Sequence, residues 1–139
     1  MAYDLDRFVL AQEYSYDTAL SEIKKGRKTT HWIWYIFPQL KGLGVSYRSE
    51  QYGIENAEEA RSYLSHPVLG ARLREITKAL LNLNENDAHK VMGYPDDMKL
   101  RSCMTLFAYI SENDSIFHRV LEKYFDGKRD EATIKMLEG

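Results

Sequence analysis

The residues best suited to chemistry lie between His31 and Gly44, in the segment HWIWYIFPQLKGLG. Six consecutive large apolar residues, 32–37, follow the histidine, and a proline, a glutamine, a lysine and two glycines complete the segment. An indole ring such as that of Trp34 is suited to stacking on a flat ligand. His31 and Gln39 flank the run with side chains that can hydrogen-bond a ligand. The pattern fits either a buried core element or the wall of a pocket with a polar mouth, and the residues alone leave both open.

The next residues combine glycines with cations, a composition that suits an anion. Gly42 and Gly44 let backbone N–H groups turn toward an anion, and Lys41 and Arg48 add positive charge. Residues 21–50 carry six Lys and Arg against two Glu, so the basic excess coincides with the aromatic run. The glycine spacing matches neither the Walker loop nor the dinucleotide fingerprint. We therefore expect a loop that holds phosphate without either motif, with a plain turn-rich loop as the alternative.

The segment PDDMKLRSCM places two carboxylates before a lysine at a predicted helix start. Asp96 and Lys99 form an i, i+3 pair, and the helix dipole favours a carboxylate at this end. In a functional interpretation, Asp96 or Asp97 acts as a general base and Lys99 faces an anion. Cys103 lies among apolar residues at helical spacing, which indicates a small core residue. No His or Cys has a second ligand at metal-binding spacing, so neither a metal site nor a cofactor is predicted.

Length and composition indicate one soluble domain over residues 1–139. A chain of 139 residues is near the commonest domain size and can bury a core without disulfides or metal. Its one cysteine fits a reducing compartment. No apolar leader is present, and the longest apolar run is far shorter than the roughly 20 residues that span a membrane. With a net charge of −2, we predict a cytoplasmic protein that binds neither membranes nor nucleic acid, of undetermined oligomeric state.

Helical periodicity predicts a mainly α fold, a compact bundle of about seven helices with one long irregular loop at 38–54. Asn56, three residues before Glu59, predicts the N-cap of a helix that ends near Ser65. For residues 31–37 we expect a short buried helix ending at the following proline. The aromatic and β-branched residues there leave a small hairpin as the alternative.

Four segments, DRFVLAQ, HWIWYIFPQLKGLG, HPVLGARL and KLRSCMTLF, occur in the order seen in the bacterial DUF1810 family, which the chain resembles over nearly its whole length. The resemblance implies a mainly α-helical domain and assigns no activity and no catalytic residue. Members often carry the name calpastatin, for which the residues give no physical support. The family pattern usually has serine at the position of Cys103, which implies that this thiol is not an essential nucleophile.

A second resemblance concerns the ligand class. The segments DDMKLRSCMTLF and FDGKRDEATIKML are similar to the C-terminal half of the NADAR family, which is linked to ADP-ribose and riboside chemistry. This implies a nucleotide-like ligand by analogy of fold.

These observations favour a nucleotide- or ADP-ribose-like anionic ligand, with cleavage of an N-glycosidic bond as the reaction. In this hypothesis Trp34 stacks on a ring, and a carboxylate activates water beside a cationic transition state. The remaining assignments are phosphate binding by Lys41, Gly42, Gly44, Arg48 and Lys99, sugar binding by His31 and Gln39, and catalysis by His31, Asp96 or Asp97. The alternative is a non-catalytic helical interaction module, in which exposed aromatic residues form a patch rimmed by residues 24–28.

Overall fold

The computed structural model describes residues 3–139, and its regular secondary structure over that range consists of α-helices and one isolated bridge. This confirms the predicted mainly α class. The ten helices of the described residues, in chain order, are α1 Asp6–Gln12, α2 Tyr16–Lys24, α3 Ile33–Ile36, α4 Tyr47–Gln51, α5 Ala57–Ser65, α6 Leu69–Leu81, α7 Ala88–Met92, α8 Asp96–Tyr109, α9 Ile116–Phe125 and α10 Glu131–Glu138.

Helix α8 lies at the centre because its residues from Leu100 to Ala108 are buried on nearly every face, Arg101 excepted. A helix that is apolar almost all round must be covered on all sides. Helices α3, α5, α7, α9 and α10 pack against it. Aromatic rings continue the core outward, since Phe107 contacts both Tyr63 of α5 and Phe117 of α9. Tyr63 in turn meets Phe8 of α1 edge to face.

The number of helices exceeds the predicted seven, because several short helices separate or interrupt longer predicted segments. The N-terminal helical pattern breaks at residues 13–15 into α1 and α2. The aromatic run forms the short buried helix α3, so the helix prediction is confirmed and the hairpin alternative is wrong. The predicted helix capped by Asn56 is also confirmed: Asn56 accepts a hydrogen bond from the Glu59 backbone N–H, and α5 ends at Ser65.

Residues 38–54 form a closed loop that is more ordered than the predicted irregular segment. Its ends are joined by the Leu40–Ile54 bridge, in which the backbone N–H of Ile54 donates to the Gln39 carbonyl at 2.9 Å. Inside the loop, the Ser46 hydroxyl accepts from the Ser49 backbone N–H and caps α4. This cap defines the start of α4, and the helix carries Arg48 to the ring of Trp34.

Candidate functional site

The two tryptophans of the aromatic run point to different environments. Trp32 is 1% exposed and donates its indole N–H to Glu22 at 2.9 Å, so it belongs to the core. Trp34 is two positions further along α3, about 200° around the helix axis, and is only partly buried. The aromatic run therefore supplies both a core element and a cleft wall, with one indole ring assigned to each.

The cleft beside Trp34 is formed where α3, the closed loop and the first turn of α8 meet. We call this depression the Trp34 cleft. Its lining residues are Ile33, Trp34, Phe37, Gln39, Arg48, Ser49, Tyr52, Gly53 and Lys99. The guanidinium carbon of Arg48 lies 4.9 Å from the centre of the indole ring, and the ammonium nitrogen of Lys99 lies 5.4 Å from it. Two cations from helices distant in sequence thus converge on one aromatic ring.

Neither cation has an acidic partner, as is true of most lysines and arginines in the described chain, and what distinguishes the two is that they meet at one ring. Within residues 3–139, no carboxylate oxygen lies within 4.0 Å of the side-chain nitrogens of Arg48 or Lys99. The ring attracts each cation through its quadrupole. The two like charges also repel each other, although salt and solvent weaken this repulsion because Arg48 is exposed. An anion between them would remove this repulsion.

Trp34 also presents an unsatisfied donor. Its indole Nε1 is buried, and no acceptor for it is found among the residues that the structure describes. A buried N–H without a partner costs about 1–3 kcal/mol, so such a group requires an explanation. The positive end of the N–H dipole and the two cations together make the Trp34 cleft electropositive.

The space in the cleft limits how a ligand can bind. The free volume is about 10 Å³, which is room for about one water molecule. Arg48 and Lys99 occupy the positions over the ring that a stacked base would take. A small anionic group can meet the two side chains at the mouth of the cleft, whereas ring stacking on Trp34 requires at least one cation to move away.

Some of the predicted site residues meet here. Trp34, Gln39, Arg48 and Lys99 all line the cleft. Gly44 lies directly behind it, because a Cβ at this position would come within 2.5 Å of the Ser49 hydroxyl.

Other predicted ligand residues lie outside the cleft. Lys41 is exposed and 4.0 Å from the carboxylate of Glu55. Gly42 is exposed with a φ of +100°, and a Cβ there would contact Met136. Neither residue is among those that line the Trp34 cleft with Arg48.

The predicted catalytic residues are likewise separated from the cleft lining. Asp96 forms an ion pair with Lys28 at 2.7 Å. Asp97 lies 3.6 Å from His89 and accepts a hydrogen bond from the Met98 backbone N–H. His31 is exposed.

The turn before α3 explains why Asp96 is paired with Lys28 and lies apart from the cleft lining. The backbone N–H of Lys28 donates to the Val91 carbonyl at 2.7 Å, which holds the turn beside the start of α8. The Lys28 ammonium can therefore reach Asp96, and it also lies 4.9 Å from the centre of the Trp32 ring.

The sequence interpretation missed Ser49, Tyr52 and Gly53 as lining residues. Tyr52 follows Arg48 at i+4 and Ser49 at i+3, and the Ser46 N-cap is the signal that could have identified α4. Gly53 is required by close approach, since a Cβ there would lie 2.6 Å from the Lys41 Cα.

Gly53 also borders a second, wider depression on the other side of the loop. This depression, which we call the Gly53 groove, has a volume of about 300 Å³. It is lined by Tyr3, Asp4, Arg7, Lys41, Glu50, Gln51, Gly53, Glu55 and Glu59. Unlike the Trp34 cleft it contains carboxylates, of which Glu59 is bound by Arg7 at 2.9 Å.

Other chemistry has little support in the described part of the chain. In residues 3–139, no three His, Cys, Asp or Glu side chains are placed so that together they could hold a metal ion. None of the helices described there is long and apolar enough to cross a membrane. Cys103 is fully buried, and burial raises the pKa of its thiol well above the ordinary value, which disfavours the nucleophilic thiolate.

Comparison with known proteins places the chain in a family. The model of a protein family of unknown function, DUF1810, matches residues 2–137. The crystal structure of the conserved hypothetical protein Rv1873 from Mycobacterium tuberculosis is 42% identical in sequence and superposes with a TM-score of 0.96. That match covers 99% of this chain and 98% of the other. A search of curated proteins finds no match, and no comparison supports the resemblance to the NADAR family. The family match and the structural match extend over nearly the whole chain, and the protein therefore belongs to the DUF1810 family.

Proposed function

We propose that the protein binds a phosphate-bearing ligand of the nucleotide or ADP-ribose type, with its anionic group at the Trp34 cleft. The observation that carries this proposal is the convergence of Arg48 and Lys99 on the ring of Trp34 without a carboxylate partner. Charged side chains held close together without counter-ions are expected to attract an ion of opposite sign. A phosphate supplies that charge together with several acceptor oxygens.

Each polar group at the cleft has a role in this proposal. The guanidinium of Arg48 can donate two parallel hydrogen bonds to a phosphate, whereas the ammonium of Lys99 acts as a point charge. The Trp34 indole N–H is buried and has no acceptor in the described chain, so the ring must shift before this group can donate to the ligand. Gln39 offers an amide that can bind a second ligand group.

The geometry supports binding better than hydrolysis of an N-glycosidic bond. A cationic transition state requires a carboxylate close to the reacting carbon. No carboxylate lines the Trp34 cleft, and Asp96 is held by Lys28. Hydrolysis would require Asp96 or Asp97 to leave its present partner, so the proposal is confined to binding.

The interaction-module alternative has a narrower basis than the sequence suggested. It requires the aromatic run to be exposed, whereas Trp32 and Phe37 are both 1% exposed. The exposed apolar residues nearest in sequence to the two cations are Val45 and Tyr47, before Arg48, and Met98, before Lys99. They flank the proposed anion site and provide no separate patch of aromatic rings.

Thermal unfolding with inorganic pyrophosphate, ADP and ADP-ribose tests the proposal. A ligand present at about 100 times its Kd stabilises the fold by about 2.7 kcal/mol, which shifts Tm by several degrees. We expect this shift in the native protein and its loss in the double variant Arg48→Ala/Lys99→Ala. The single variant Arg61→Ala removes an exposed arginine of α5 and should keep the shift.

Two results would contradict the proposal. The first is the absence of any shift with all three compounds at millimolar concentration. The second is a shift of equal size in the native protein and in the double variant, which would place the ligand elsewhere.

A further inference from the structure

Arg48 covers the ring of Trp34 from a helix that has little support along its length. Each of the other described helices packs along several residues against at least one neighbouring helix, whereas α4 makes only sparse contacts with any of them. Four of its five residues are exposed, and Ser49 alone is buried. We propose that α4 is a hinged cover: when a nucleotide binds, its base stacks on Trp34 in the place of Arg48, and Arg48 moves with α4 onto the phosphate. This inference rests on the proposed function, and it adds the base subsite and the motion that opens it.

The C-terminal end of α4 is anchored to the rest of the protein. The guanidinium of Arg7, on α1, donates to the backbone carbonyls of Gln51 and Gly53, both at 2.9 Å. The ring of Tyr52 packs against one aromatic ring of α1 and one of α3. This end of the helix therefore supplies the fixed side of a hinge.

The segment that carries Arg48 has no such anchor, because residues 45–48 are all exposed. Its capping hydrogen bond, from the Ser49 backbone N–H to the Ser46 hydroxyl, lies within the loop. Gly44 packs on Ser49 inside the same loop, where a Cβ would lie 2.5 Å from the hydroxyl oxygen. The segment can therefore turn about the anchored end of α4 and keep both of these contacts.

The exchange of Arg48 for a base is favourable because stacking outweighs the contact that it replaces. An exposed cation over an aromatic ring favours the bound state by about 2- to 5-fold, whereas a stacked base favours it by about 5- to 100-fold. The displaced guanidinium gains charge-assisted hydrogen bonds to the phosphate. Lys99 belongs to the first turn of the central helix α8, so its charge stays at the cleft. A ligand that carries both a base and a phosphate therefore shifts α4 toward the open position.

The indole N–H of Trp34 is a separate observation that points to a ligand. Its Nε1 is buried and has no acceptor among the residues that the structure describes. A buried donor without an acceptor destabilises the state that contains it. Once Arg48 has moved away, the ring can shift and its N–H can meet a ligand oxygen. The destabilisation then belongs to the covered state alone, and it favours the exchange.

Isothermal titration with ADP and pyrophosphate tests the inference, since both have a diphosphate and only ADP has a base. We expect ADP to bind the native protein about 5-fold or more tightly than pyrophosphate. In Trp34→Leu, this ratio should fall to about 2-fold or less. In Arg48→Ala, both compounds should bind more weakly, but the ratio should stay at about 5-fold or more. Arg61→Ala, at an exposed arginine of α5, is the matched control and should keep both affinities.

A fluorescence titration of the native protein makes the test independent of whether Trp34→Leu folds. Saturating ADP should quench the tryptophan emission, because its base stacks on Trp34. Trp32 is 1% exposed and should not respond, and pyrophosphate should quench much less than ADP. Equal effects of the two compounds on the emission would overturn the base subsite.

The outcomes separate this inference from the proposed function. If ADP binds the native protein no more tightly than pyrophosphate, the inference is overturned, and a ratio that rises only in Arg48→Ala would identify Arg48 as a fixed cover. An advantage for ADP that survives in Trp34→Leu would also overturn it, since the base would then bind elsewhere. In both cases, pyrophosphate binding that depends on Arg48 leaves the anion site intact. Failure of both compounds to bind would overturn the inference and the proposed function together.

Discussion

Replacing Glu22 by glutamine tests how the aromatic run is held in place. The carboxylate of Glu22 accepts hydrogen bonds at 2.6–3.1 Å from the backbone N–H groups of Thr29 and Thr30, the Thr30 hydroxyl and the Trp32 indole. Burial raises the pKa of this carboxyl, but the four hydrogen bonds outweigh burial and lower the pKa from 4.5 to about 2. The residue is 8% exposed, so solvent screens these interactions little.

The sign and size of the effect follow from proton linkage. Because the pKa of Glu22 is lower in the folded protein, its ionised form stabilises the fold fully above the unfolded pKa of 4.5. This stabilisation is lost as the pH falls toward about 2. One pKa unit corresponds to about 1.4 kcal/mol, so the lowered pKa of Glu22 stabilises the fold by about 3 kcal/mol at neutral pH. At a pH of about 3, about 1.4 kcal/mol of this stabilisation remains.

Urea unfolding measures the contribution of Glu22 to the free energy of unfolding. The native protein and the Glu22→Gln variant are compared at neutral pH and at a pH of about 3. We expect the variant to lose about 3 kcal/mol of unfolding free energy at neutral pH and only about half as much in acid. Glu13→Gln, at an exposed glutamate, should change little at either pH. Other acidic groups titrate equally in both proteins and cancel from the difference. An equal loss at both pH values, or no loss at neutral pH, would refute the assigned pKa and its cause.

Two further predictions concern the core and the wall of the groove. The thiol of Cys103 is fully buried and its pKa is raised by burial, so it should react with an aromatic disulfide reagent only as fast as the protein unfolds. Rapid reaction of the native protein would contradict this. Arg7→Ala should cost about 3 kcal/mol in urea unfolding, because it leaves the 3%-exposed carboxylate of Glu59 unpaired. Arg61→Ala, at an exposed arginine, should cost about 0.5 kcal/mol or less, and equal losses in the two variants would contradict the role of the ion pair.

Local signals in the sequence were sufficient for most of the helices. Apolar residues at helical spacing predicted the mainly α class, and Asn56 predicted the start of α5 because a side-chain cap acts within one turn. Helix α4 escaped prediction even though Ser46 caps it, since five residues give too short a periodic pattern. Element type was therefore predictable wherever the pattern extended over several turns.

The site was only partly predictable, because its charges are paired through contacts between distant residues. The aromatic run contains both Trp32 and Trp34, and a hydrogen bond to Glu22 on α2 is what assigns Trp32 to the core. The sequence indicated Asp96 as a base, but the turn before α3 brings Lys28 to within 2.7 Å of it. Neither contact has a local signature, so residue type and spacing could not distinguish these residues from the ones that line the cleft.

The pattern of ion pairing therefore identifies the candidate site better than the distribution of cations along the chain does. Lys41 lies in the basic, glycine-containing segment and was expected to hold phosphate, yet it lies beside a carboxylate. Lys99 comes directly after two aspartates and a methionine, where the sequence is acidic. Its ammonium nevertheless reaches the ring of Trp34, and no carboxylate of the described chain lies within 4.0 Å of it. The absence of an ion pair alone is common in the described chain, so a ligand is best sought where two such like charges also converge on one ring. Arg48 and Lys99 meet that condition at the Trp34 cleft.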